Sequence, residues 1–561
     1  MPTNPTRTPD RPASPGRLAG AALCLVLAVA VTACDRGPRH GLPGSGPQVV
    51  LMGTTDIHSQ LLPWDYEQEE ILDHGLARIS PLVDSIRAAN PGRTILVDSG
   101  DLLQGNPMAA TFTPLPEDEV HPMIVAMNLM EYDAAALGNH EFNFGLDHLD
   151  RTLAHAEFPF LSANTVDAAT GEPVWPEYVI VERELEGRPL RIGITGVLPP
   201  GVAIWDRDHV EGILEFPDMV ERLADVVPRM RADGADLVVV AAHASFEGSS
   251  YDTESTGVAP ENRMSDAARE VPGIDVVFLG HSHREVADTL VNDVLFTQGG
   301  PRGRSLAVAT FELAPAGDDG WRVTGRQAEL VRPTRDHIDT RMQASLSGAH
   351  DRTRAEMARV LATAPEAWSA AEARIRDTPL MSWIHQVQKE VTGADLSSAA
   401  AFGLRAGLPQ GDITVAHVAR LYPYDNNLLR AVEITGAELR AYLEHSARYF
   451  LECPEARCER LVNREWPGFN FDMVSGVEYT LDLTRPLGER VVQLERNGEP
   501  VADDDTFTMA INNYRQGGGG GFPAVRDAPV VYTGDESVRD LLMEALEAAG
   551  EMPLPGDFEP S

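Results

Sequence analysis

The stretch YDAAALGNHEFNFG, Tyr132–Gly145, places a short apolar run directly before a Gly-Asn-His-Glu turn. An apolar run that ends in glycine is typical of a buried strand followed by a turn. Asn139 and His140 then stand just beyond that strand, and both have side chains that bind metals or substrates. Whether this turn belongs to a site depends on whether the same arrangement recurs along the chain.

The arrangement recurs between residues 48 and 335. Further apolar runs, most of which end in polar residues, are VVLMGTTD, TILVDSGD, LRIGITGV, DLVVVAAH and IDVVFLGH, and helical patterns lie between them. Continuous apolar strands alternating with helices indicate a sheet that is covered on both faces. We therefore predict an α/β layered domain over residues 48–335.

Side chains that commonly bind metals follow five of these strands. In chain order they are Asp56 and His58 in Asp-x-His, Asp101 in Gly-Asp, Asn139 in Gly-Asn-His-Glu, His243, and His281 and His283 in Gly-His-x-His. One such cluster alone is more often a solvated strand end or a hydrogen-bonded core residue. Because the carboxyl ends of strands in an open α/β sheet meet at one edge, the five together predict a single site. Imidazole, carboxylate and amide ligands suit zinc, manganese or iron.

The net charge excludes one class of partner. The chain has 46 Lys and Arg against 85 Asp and Glu, which gives a formal charge of −39. Such a surface repels a nucleic-acid polymer, because affinity for the polymer rests largely on neutralising its phosphates. Small phosphorylated substrates remain compatible with this charge where metals or arginines reverse the field in a cleft.

The N-terminus has the features of a targeting segment. Arginines precede an apolar run, Leu18–Ala33, and the following VTAC ends in Cys34 and resembles a bacterial lipobox. We predict a signal peptide over residues 1–33, a lipid on Cys34 that holds the protein at a membrane, and a flexible tether over residues 34–47. An ordinary secretory signal cut nearby is the alternative. Both interpretations place the protein in the periplasm or cell envelope.

The remainder of the chain predicts a second α/β region. Residues 336–380 have helical spacing and no strand pattern, so we expect a linker helix there. Residues 381–548 contain the strand-like runs LLRAVEIT, GVEYTLDL and FTMAINNY and the helical run GAELRAYLEHSARYF. Residues 549–561 are expected to form a loose tail.

Cys453 and Cys458 lie close together in CPEARC. In an oxidising compartment a local disulfide that closes a short loop is the expected state. A zinc site is the alternative, although no further Cys or His stands at ligand spacing. The disulfide would be structural.

Several segments together resemble one family. TTDIHSQLLPWDY, VDSGDLLQGNP, LGNHEFNFGLDHL and GVLPPG resemble the 2′,3′-cyclic-nucleotide 2′-phosphodiesterase/3′-nucleotidase branch of the bacterial 5′-nucleotidase family, within the calcineurin-like metallophosphoesterases. YPYDNNL and INNYRQGGGGGFP resemble that family's substrate domain, so the resemblance extends from Gln48 to Val531. It implies a four-layer αββα catalytic domain, a linker helix and a smaller α/β nucleotide-recognition domain.

The resemblance also implies a set of catalytic and metal-binding residues. Asp56, His58 and His283 would hold one divalent ion, Asn139, His243 and His281 would hold a second, and Asp101 would bridge the two. His140 would stabilise negative charge in the transition state or protonate the leaving oxygen.

Asn143 distinguishes the branches of the family. The 5′-nucleotidase branch usually has aspartate here, which would hold the histidine charged, whereas asparagine orients a ring without neutralising imidazolium. Asn143 therefore favours the cyclic-nucleotide branch. The alternative is that Asn143 only caps the next turn.

Four residues of the second region match the family's substrate contacts. Tyr424 and Tyr514 would enclose the base between two rings, and stacking of this kind tolerates different bases. Arg405 and Asn426 fall where the family contacts ribose or phosphate, although the sequence around Arg405 matches only loosely. These residues imply a small nucleotide as substrate; the oligomeric state is not indicated.

The sequence thus predicts an exported dimetal hydrolase that cleaves 2′,3′-cyclic nucleotides and 3′-nucleotides to nucleoside and phosphate. A 5′-nucleotidase or nucleotide-sugar hydrolase is the main alternative. A thiosulfohydrolase shares the implied fold, but the paired tyrosines disfavour it. A catalytically silent nucleotide-binding lipoprotein is a further alternative, but the presence of His140 and a full ligand set argues against it.

Overall fold

The computed structural model describes residues 46–317, 320–454, 458, 460–522 and 524–558. The predicted signal peptide, Cys34 and most of the tether lie outside these residues. Among the described helices, none combines the length and the apolar character needed to cross a membrane.

The first part of the described chain alternates strands and helices. Its strands are β1 (Gln48–Thr54), β2 (Trp64–Asp65), β3 (Glu70–Ile71), β4 (Thr94–Asp98), β5 (Ala134–Ala136), β6 (Phe160–Leu161), β7 (Val166–Asp167), β8 (Tyr178–Leu185), β9 (Arg188–Val197), β10 (Leu214–Glu215), β11 (Leu237–Ala242), β12 (Val276–Leu279), β13 (Val286–Val291), β14 (Val294–Gln298), β15 (Leu306–Ala316) and β16 (Gly320–Val331). Its helices are α1 (Leu76–Ala89), α2 (Pro107–Thr111), α3 (Pro122–Leu129), α4 (Leu146–Leu153), α5 (Val202–Trp205), α6 (Arg207–Val210), α7 (Met219–Ala232), α8 (Thr253–Thr256) and α9 (Met264–Glu270). The six apolar runs of this region are strands β1, β4, β5, β9, β11 and β12, as predicted.

Two six-stranded sheets form the centre of this region. Their strand orders are β16-β15-β1-β4-β5-β6 and β13-β14-β12-β11-β9-β8. Side chains of β1 alternate between two cores: Val49 and Leu51 pack between the sheets, whereas Val50 and Met52 pack under helices. In β11, Val239 packs between the sheets and residues on its opposite face pack against α7 and α9. The layers are therefore helix, sheet, sheet and helix, as the resemblance implied.

This arrangement brings the candidate ligands to one edge. Strands β1, β4 and β5 run parallel in the first sheet, and β9, β11 and β12 run parallel in the second. The polar clusters all follow the carboxyl ends of such strands. Parallel pairing therefore gathers segments that are far apart in sequence.

The second part of the described chain has its own sheet. Its strands are β17 (Val360–Ala364), β18 (Trp368–Ser369), β19 (Leu396–Ala400), β20 (Gly407–Leu408), β21 (Gly411–Thr414), β22 (Leu428–Thr435), β23 (Asp472–Ser475), β24 (Glu478–Leu481), β25 (Val491–Arg496), β26 (Glu499–Pro500), β27 (Thr506–Asn512) and β28 (Val530–Ser537). Its helices are α10 (Thr340–Ser345), α11 (Ser347–Met357), α12 (Pro379–Thr392), α13 (Val415–Leu421), α14 (Gly436–Ser446), α15 (Asn513–Gln516) and α16 (Val538–Ala549). The five-stranded sheet has the order β23-β19-β27-β22-β28. The predicted strands and helix of this region are present.

The linker prediction was wrong in part. Helices α10 and α11 occupy only the first half of residues 336–380, and strand β17 follows, which pairs antiparallel with β21. The tail prediction also needs correction, because Met552 is buried and the ring of Phe558 lies 5.4 Å from that of Trp368. Both errors concern segments whose partners lie far away in sequence.

The expected disulfide joins Cys453 to Cys458, with the two Cα atoms 5.5 Å apart. The zinc alternative for this pair is therefore wrong. The bridge closes a short loop that follows α14.

Candidate active site

The backbone is strained at most of the candidate metal ligands. The φ angles are 51° at Asp56, 49° at His58, 63° at Asp101, 66° at His281 and 53° at His283. A left-handed conformation costs a residue with a Cβ atom about 1–2 kcal/mol. Strain of this kind gathers at functional sites, where the surrounding structure holds it in place.

The candidate ligands form two groups that share one carboxylate. Asp56, His58, Asp101 and His283 each have a ligand atom within 4.8 Å of the others, and Asp101, His243 and His281 form a second such group. Nε2 of His58 lies 3.0 Å from Nε2 of His283. Two imidazole nitrogens that face each other at this distance are well placed to share one cation. Asp101 belongs to both groups, which is the position of a bridging ligand.

Two of the candidate histidines have the tautomer of the neutral ring set by a backbone carbonyl. His58 donates from Nδ1 to the carbonyl of Gln104 at 2.8 Å, and His243 donates from Nδ1 to the carbonyl of Ser99 at 2.8 Å. In the neutral form of either ring, Nε2 then has the lone pair, and it faces the site. Partners of this kind orient metal-binding imidazoles and increase their basicity.

His281 is held by a carboxylate instead of a carbonyl. Its Nε2 donates to Oε1 of the buried Glu261 at 2.6 Å, which leaves Nδ1 to face the site. The ring also stacks on Trp205, with centroids 5.7 Å apart. Glu261 is in turn held by the backbone N–H of Ser250. Glu261 and Trp205 together therefore fix the orientation of the His281 ring.

Two buried polar atoms fit a cation. Oδ1 of Asn139 has no hydrogen-bond partner among the described residues, and Nε2 of His243 lies 3.0 Å from Oδ2 of Asp101. A buried polar atom without a partner costs about 1–3 kcal/mol, and a bound cation removes that cost. Burial alone would lower the pKa of His243, but the Asp101 carboxylate 3.0 Å away raises it to about 10. Asp101 thus strongly stabilises positive charge beside it.

Glycines allow the loops to approach one another. A Cβ at Gly138 would lie 2.4 Å from Oδ1 of Asp101, and a Cβ at Gly100 would lie 2.5 Å from the backbone nitrogen of Gly138. Gly100 also has a φ of 90°. The Gly-Asp and Gly-Asn-His-Glu motifs therefore need their glycines for close packing.

Glu141, the last residue of Gly-Asn-His-Glu, joins the loops that follow β4 and β5. Its carboxylate accepts hydrogen bonds from the backbone N–H groups of Asp101, Leu102, Leu103 and Gly138 at 2.6–3.2 Å. The side chain is fully buried. Glu141 thus holds two ligand-bearing loops together.

His140 lies beside the shared carboxylate. Its Nε2 is 3.8 Å from Oδ2 of Asp101, and its backbone N–H donates to Oδ1 of Asp101 at 2.9 Å. Its Nδ1 donates to Oδ1 of Asn143 at 2.6 Å. Asn143 does not cap helix α4, whose N-cap is Gly145, so the capping alternative is wrong.

A carboxylate that the sequence did not indicate lies behind Asn143. Nδ2 of Asn143 donates to Oδ1 of Asp206 at 2.7 Å. Burial lowers the pKa of His140, but Asp101, Asn143 and Asp206 together raise it above its usual value. The expectation that no carboxylate helps to hold His140 protonated is therefore too simple, because Asp206 acts through one intervening amide.

The C-terminal candidates lie on two loops of the second sheet. Tyr424 is half-buried, with its ring 5.1 Å from Phe402 and 6.5 Å from Phe469. Tyr514 is half-buried in α15, and a Cβ at Gly519 would lie 2.5 Å from its ring. The glycine run therefore packs closely on this tyrosine, as its sequence suggested.

The two candidate polar contacts differ in their surroundings. Oδ1 of Asn426 is buried without a hydrogen-bond partner among the described residues, as expected of an acceptor that meets a ligand. Arg405 is exposed in a turn, and no contact ties it to the other candidates.

Direct contacts join this region to the metal-binding edge. Gln104, whose carbonyl holds His58, donates from Nε2 to Oδ1 of Asp425 at 3.0 Å. Asp425 is the neighbour of Tyr424. On the other side, a Cβ at Gly517 would lie 2.6 Å from the carbonyl of Ile204 in α5. The two candidate sites are therefore adjacent.

Sequence reasoning missed the residues behind the ligands. Glu141 belongs to a quoted motif, so its position carried a signal. Asp206, Glu261 and Gln104 stand in loops with no recurring pattern. Only their contacts in the structure identify them.

Two families match this chain. Residues 50–285 match the calcineurin-like phosphoesterases, and residues 359–527 match the 5′-nucleotidase C-terminal domain. The first match contains all seven candidate ligands and His140, and the second contains both tyrosines.

Named relatives extend over most of the chain. The 2′,3′-cyclic-nucleotide 2′-phosphodiesterase/3′-nucleotidase of Salmonella typhimurium is 31% identical over 91% of this chain and 87% of its own length. The trifunctional nucleotide phosphoesterase protein YfkN of Bacillus subtilis is 31% identical over 90% of this chain, which spans only 38% of that longer protein. A structure of a provisionally named 5′-nucleotidase from Staphylococcus aureus aligns with a TM-score of 0.77 at 26% identity, covering 89% of this chain and 96% of that one.

We predict that the Asp101 carboxylate matters more for metal content than any single outer ligand. After chelation and reloading with Mn²⁺, elemental analysis should find two ions per wild-type chain, about one for His283→Asn and fewer still for Asp101→Asn, because Asp101 lies in both groups. Asp147→Asn, at an exposed position in α4, is the matched control and should retain two. Two ions retained in Asp101→Asn would contradict the bridging role.

Proposed function

The chain belongs to the calcineurin-like phosphoesterases that carry a 5′-nucleotidase C-terminal domain, and on that premise we propose that it hydrolyses 2′,3′-cyclic nucleotides and 3′-nucleotides to nucleoside and phosphate. It is a metal-dependent phosphoric ester hydrolase. The observation that carries the proposal is the position of His140 beside Asp101, the carboxylate shared by two ligand groups. One of those groups contains His58, which two hydrogen bonds connect through Gln104 to Asp425, the neighbour of Tyr424.

The ligand set fits two divalent ions, which when bound polarise phosphoryl oxygens and activate water. The seven candidate ligands would hold the ions, and the carbonyls and carboxylate behind the histidines orient these ligands. His140 lies beside the shared Asp101 carboxylate, with its Nε2 3.8 Å from Oδ2. This nitrogen donates a hydrogen bond or a proton to the ester oxygen as negative charge develops on it.

The two reactions of the proposal need the same groups. In the cyclic substrate, an oxygen from water forms a bond to phosphorus while the bond from phosphorus to the 2′ oxygen breaks, and that oxygen takes a proton. The 3′-monoester that results undergoes the same exchange at the 3′ oxygen, which releases nucleoside and phosphate. His140 is placed to supply the proton to the leaving oxygen in both steps.

Recognition of the nucleoside belongs to the second region. Tyr424 and Tyr514 are half-buried, so each ring keeps surface for a base. Oδ1 of Asn426 is a buried acceptor without a partner among the described residues and is suited to a ribose hydroxyl. Arg405 is exposed, and we propose it as a contact for the phosphate or ribose on the strength of its position in the motif.

The 5′-nucleotidase or nucleotide-sugar hydrolase remains the second candidate. What favours it is Asp206, which supplies a carboxylate behind Asn143 and so partly restores the environment of a charged histidine. The thiosulfohydrolase and silent-lipoprotein alternatives have no observation of this kind in their favour.

We also propose that the protein is exported and held at a membrane by a lipid on Cys34. The support is the arginine-rich start, the apolar run and VTAC. A periplasmic location agrees with a chain that forms a disulfide.

A substrate screen tests the proposed activity. With Mn²⁺ present, 2′,3′-cyclic and 3′-nucleotides should have a higher kcat/KM than 5′-nucleotides, because Asn143 separates His140 from direct contact with a carboxylate. Phosphate release is the measurement for the monoesters, and chromatography is the measurement for the cyclic substrates. A clear preference for 5′-AMP would favour the second candidate.

Alanine substitutions test the role of the tyrosines. Stacking on one aromatic ring contributes about 1–3 kcal/mol, so Tyr424→Ala or Tyr514→Ala should raise KM for a cyclic nucleotide roughly tenfold to a hundredfold. Hydrolysis of bis-p-nitrophenyl phosphate, which has no base, should change much less. Equal loss on both substrates would indicate a folding defect, and an unchanged nucleotide KM would remove the tyrosines from the binding site.

Mass spectrometry of the mature protein tests the lipid anchor. The N-terminus should be Cys34 with acyl chains attached, and Cys34→Ser should abolish the modification. Wild-type protein that lacks a lipid and fractionates as soluble would show that the targeting segment is an ordinary secretory signal.

A further inference from the structure

We propose that Asp206 is a positioning residue for catalysis, which acts through Asn143 to fix the orientation and tautomer of His140. The inference rests on the proposed function for the role of His140. It adds a third member, contributed by a different loop, to the His140 and Asn143 pair.

The geometry is that of a continuous chain of three side chains. His140 donates from Nδ1 to Oδ1 of Asn143 at 2.6 Å, and Asn143 donates from Nδ2 to Oδ1 of Asp206 at 2.7 Å. Asn143 is 6% exposed and Asp206 is 4% exposed, so water competes little for these bonds. Both bonds are short, which is consistent with the low-dielectric environment around them.

An asparagine alone does not determine the tautomer of a histidine. Its amide presents an acceptor on one side and a donor on the other, and a flipped amide would present Nδ2 to the ring. Asp206 removes this ambiguity, because a flipped Asn143 would place Oδ1 against a carboxylate oxygen. The amide oxygen must therefore face His140, and Nδ1 of His140 must carry the hydrogen.

The same orientation holds in both protonation states of Asp206. Burial raises the pKa of Asp206 to about 7. Its Oδ2 has no hydrogen-bond partner among the described residues, so a proton on Oδ2 would leave Oδ1 free to accept from Asn143. The positioning role is therefore a matter of geometry and does not require Asp206 to be charged.

The segment that carries Asp206 is itself held on both sides. Trp205 stacks on the candidate ligand His281 and has its ring 5.9 Å from that of Tyr251. Ile204 packs against Gly517, next to the α15 helix that carries Tyr514. Asp206 also accepts from the N–H of His209 through its carbonyl at 2.9 Å. A side chain anchored in this way is a rigid support for Asn143.

The consequence for the reaction concerns the other nitrogen of the ring. With Nδ1 bound to Asn143, Nε2 of His140 points to the side where Asp101 lies 3.8 Å away. This is the atom that gives its proton to the leaving oxygen. Loss of the support from Asp206 should therefore reduce the rate of the chemical step and leave substrate binding almost unchanged.

Three variants and one control test the proposal on the full-length, metal-loaded enzyme. Asp206→Leu removes the acceptor and keeps a side chain of similar size. Asn143→Asp places two carboxylates against each other. The double variant Asn143→Asp/Asp206→Asn exchanges the donor and the acceptor of the second hydrogen bond, so both bonds of the chain form again. Glu211→Gln, at an exposed carboxylate on the same segment, is the matched control.

With 2′,3′-cyclic AMP as substrate, Asp206→Leu should lower kcat at least about tenfold, within the contribution expected of a positioned acid or base, and change KM less than about twofold. The double variant should recover kcat to within about threefold of wild type, and Glu211→Gln should match wild type. Full kcat in a folded Asp206→Leu, or a double variant no better than either single one, would overturn the proposal.

A second readout does not depend on turnover. In protein labelled with ¹⁵N histidine, the Nδ1–H resonance of His140, identified by its loss in His140→Gln, should shift or disappear in Asp206→Leu and return in the double variant. An unchanged resonance in Asp206→Leu would overturn the proposal even if cyclic nucleotides are not substrates. Conversely, a wild-type enzyme inactive on cyclic nucleotides but with the expected resonances would contradict only the proposed function.

Discussion

A single buried carboxylate, that of Glu141, holds together the two loops on which the candidate site is built. It accepts four backbone N–H bonds, three from the loop after β4 and one from the loop after β5. A buried carboxylate is costly unless donors surround it, so neither loop can withdraw without leaving that charge unsatisfied. These hydrogen bonds to Glu141 fix the positions of Asp101 and Asn139. They also stabilise the left-handed backbone conformation at Asp101.

Hydrogen bonds and packing contacts also connect the candidate metal-binding residues to the candidate base-binding residues. Hydrogen bonds run from His58 through Gln104 to Asp425, beside Tyr424, and the segment of Asp206 packs against the loop that follows Tyr514. Asp206, which we propose to position His140, and the tyrosines proposed to hold the base are therefore parts of one contact network. On this proposal, a substrate bound through its base would be oriented relative to His140, so that binding energy contributes to orientation.

Much of the fold could be predicted because its signals are local. The apolar runs that became β1, β4, β5, β9, β11 and β12 are continuous, since both faces of each strand are buried, and such runs are visible in any window of the sequence. The prediction of a linker helix was wrong at β17. The residues of β17 have helical spacing, but they form a strand because they pair with β21. A strand that depends on a distant partner has no local signature, because its stability comes from that pairing and not from its own residues.

The sequence by itself determined which side chains are candidate ligands and that they meet, because the ends of parallel strands share one edge. It also determined that an asparagine stands beside His140. The tertiary structure alone decided which groups lie behind them: Glu261 behind His281, and Asp206 behind Asn143. These partners come from irregular loops whose paths depend on the packing of the whole domain, and a hydrogen bond depends on a separation of about 3 Å that no spacing along the chain encodes.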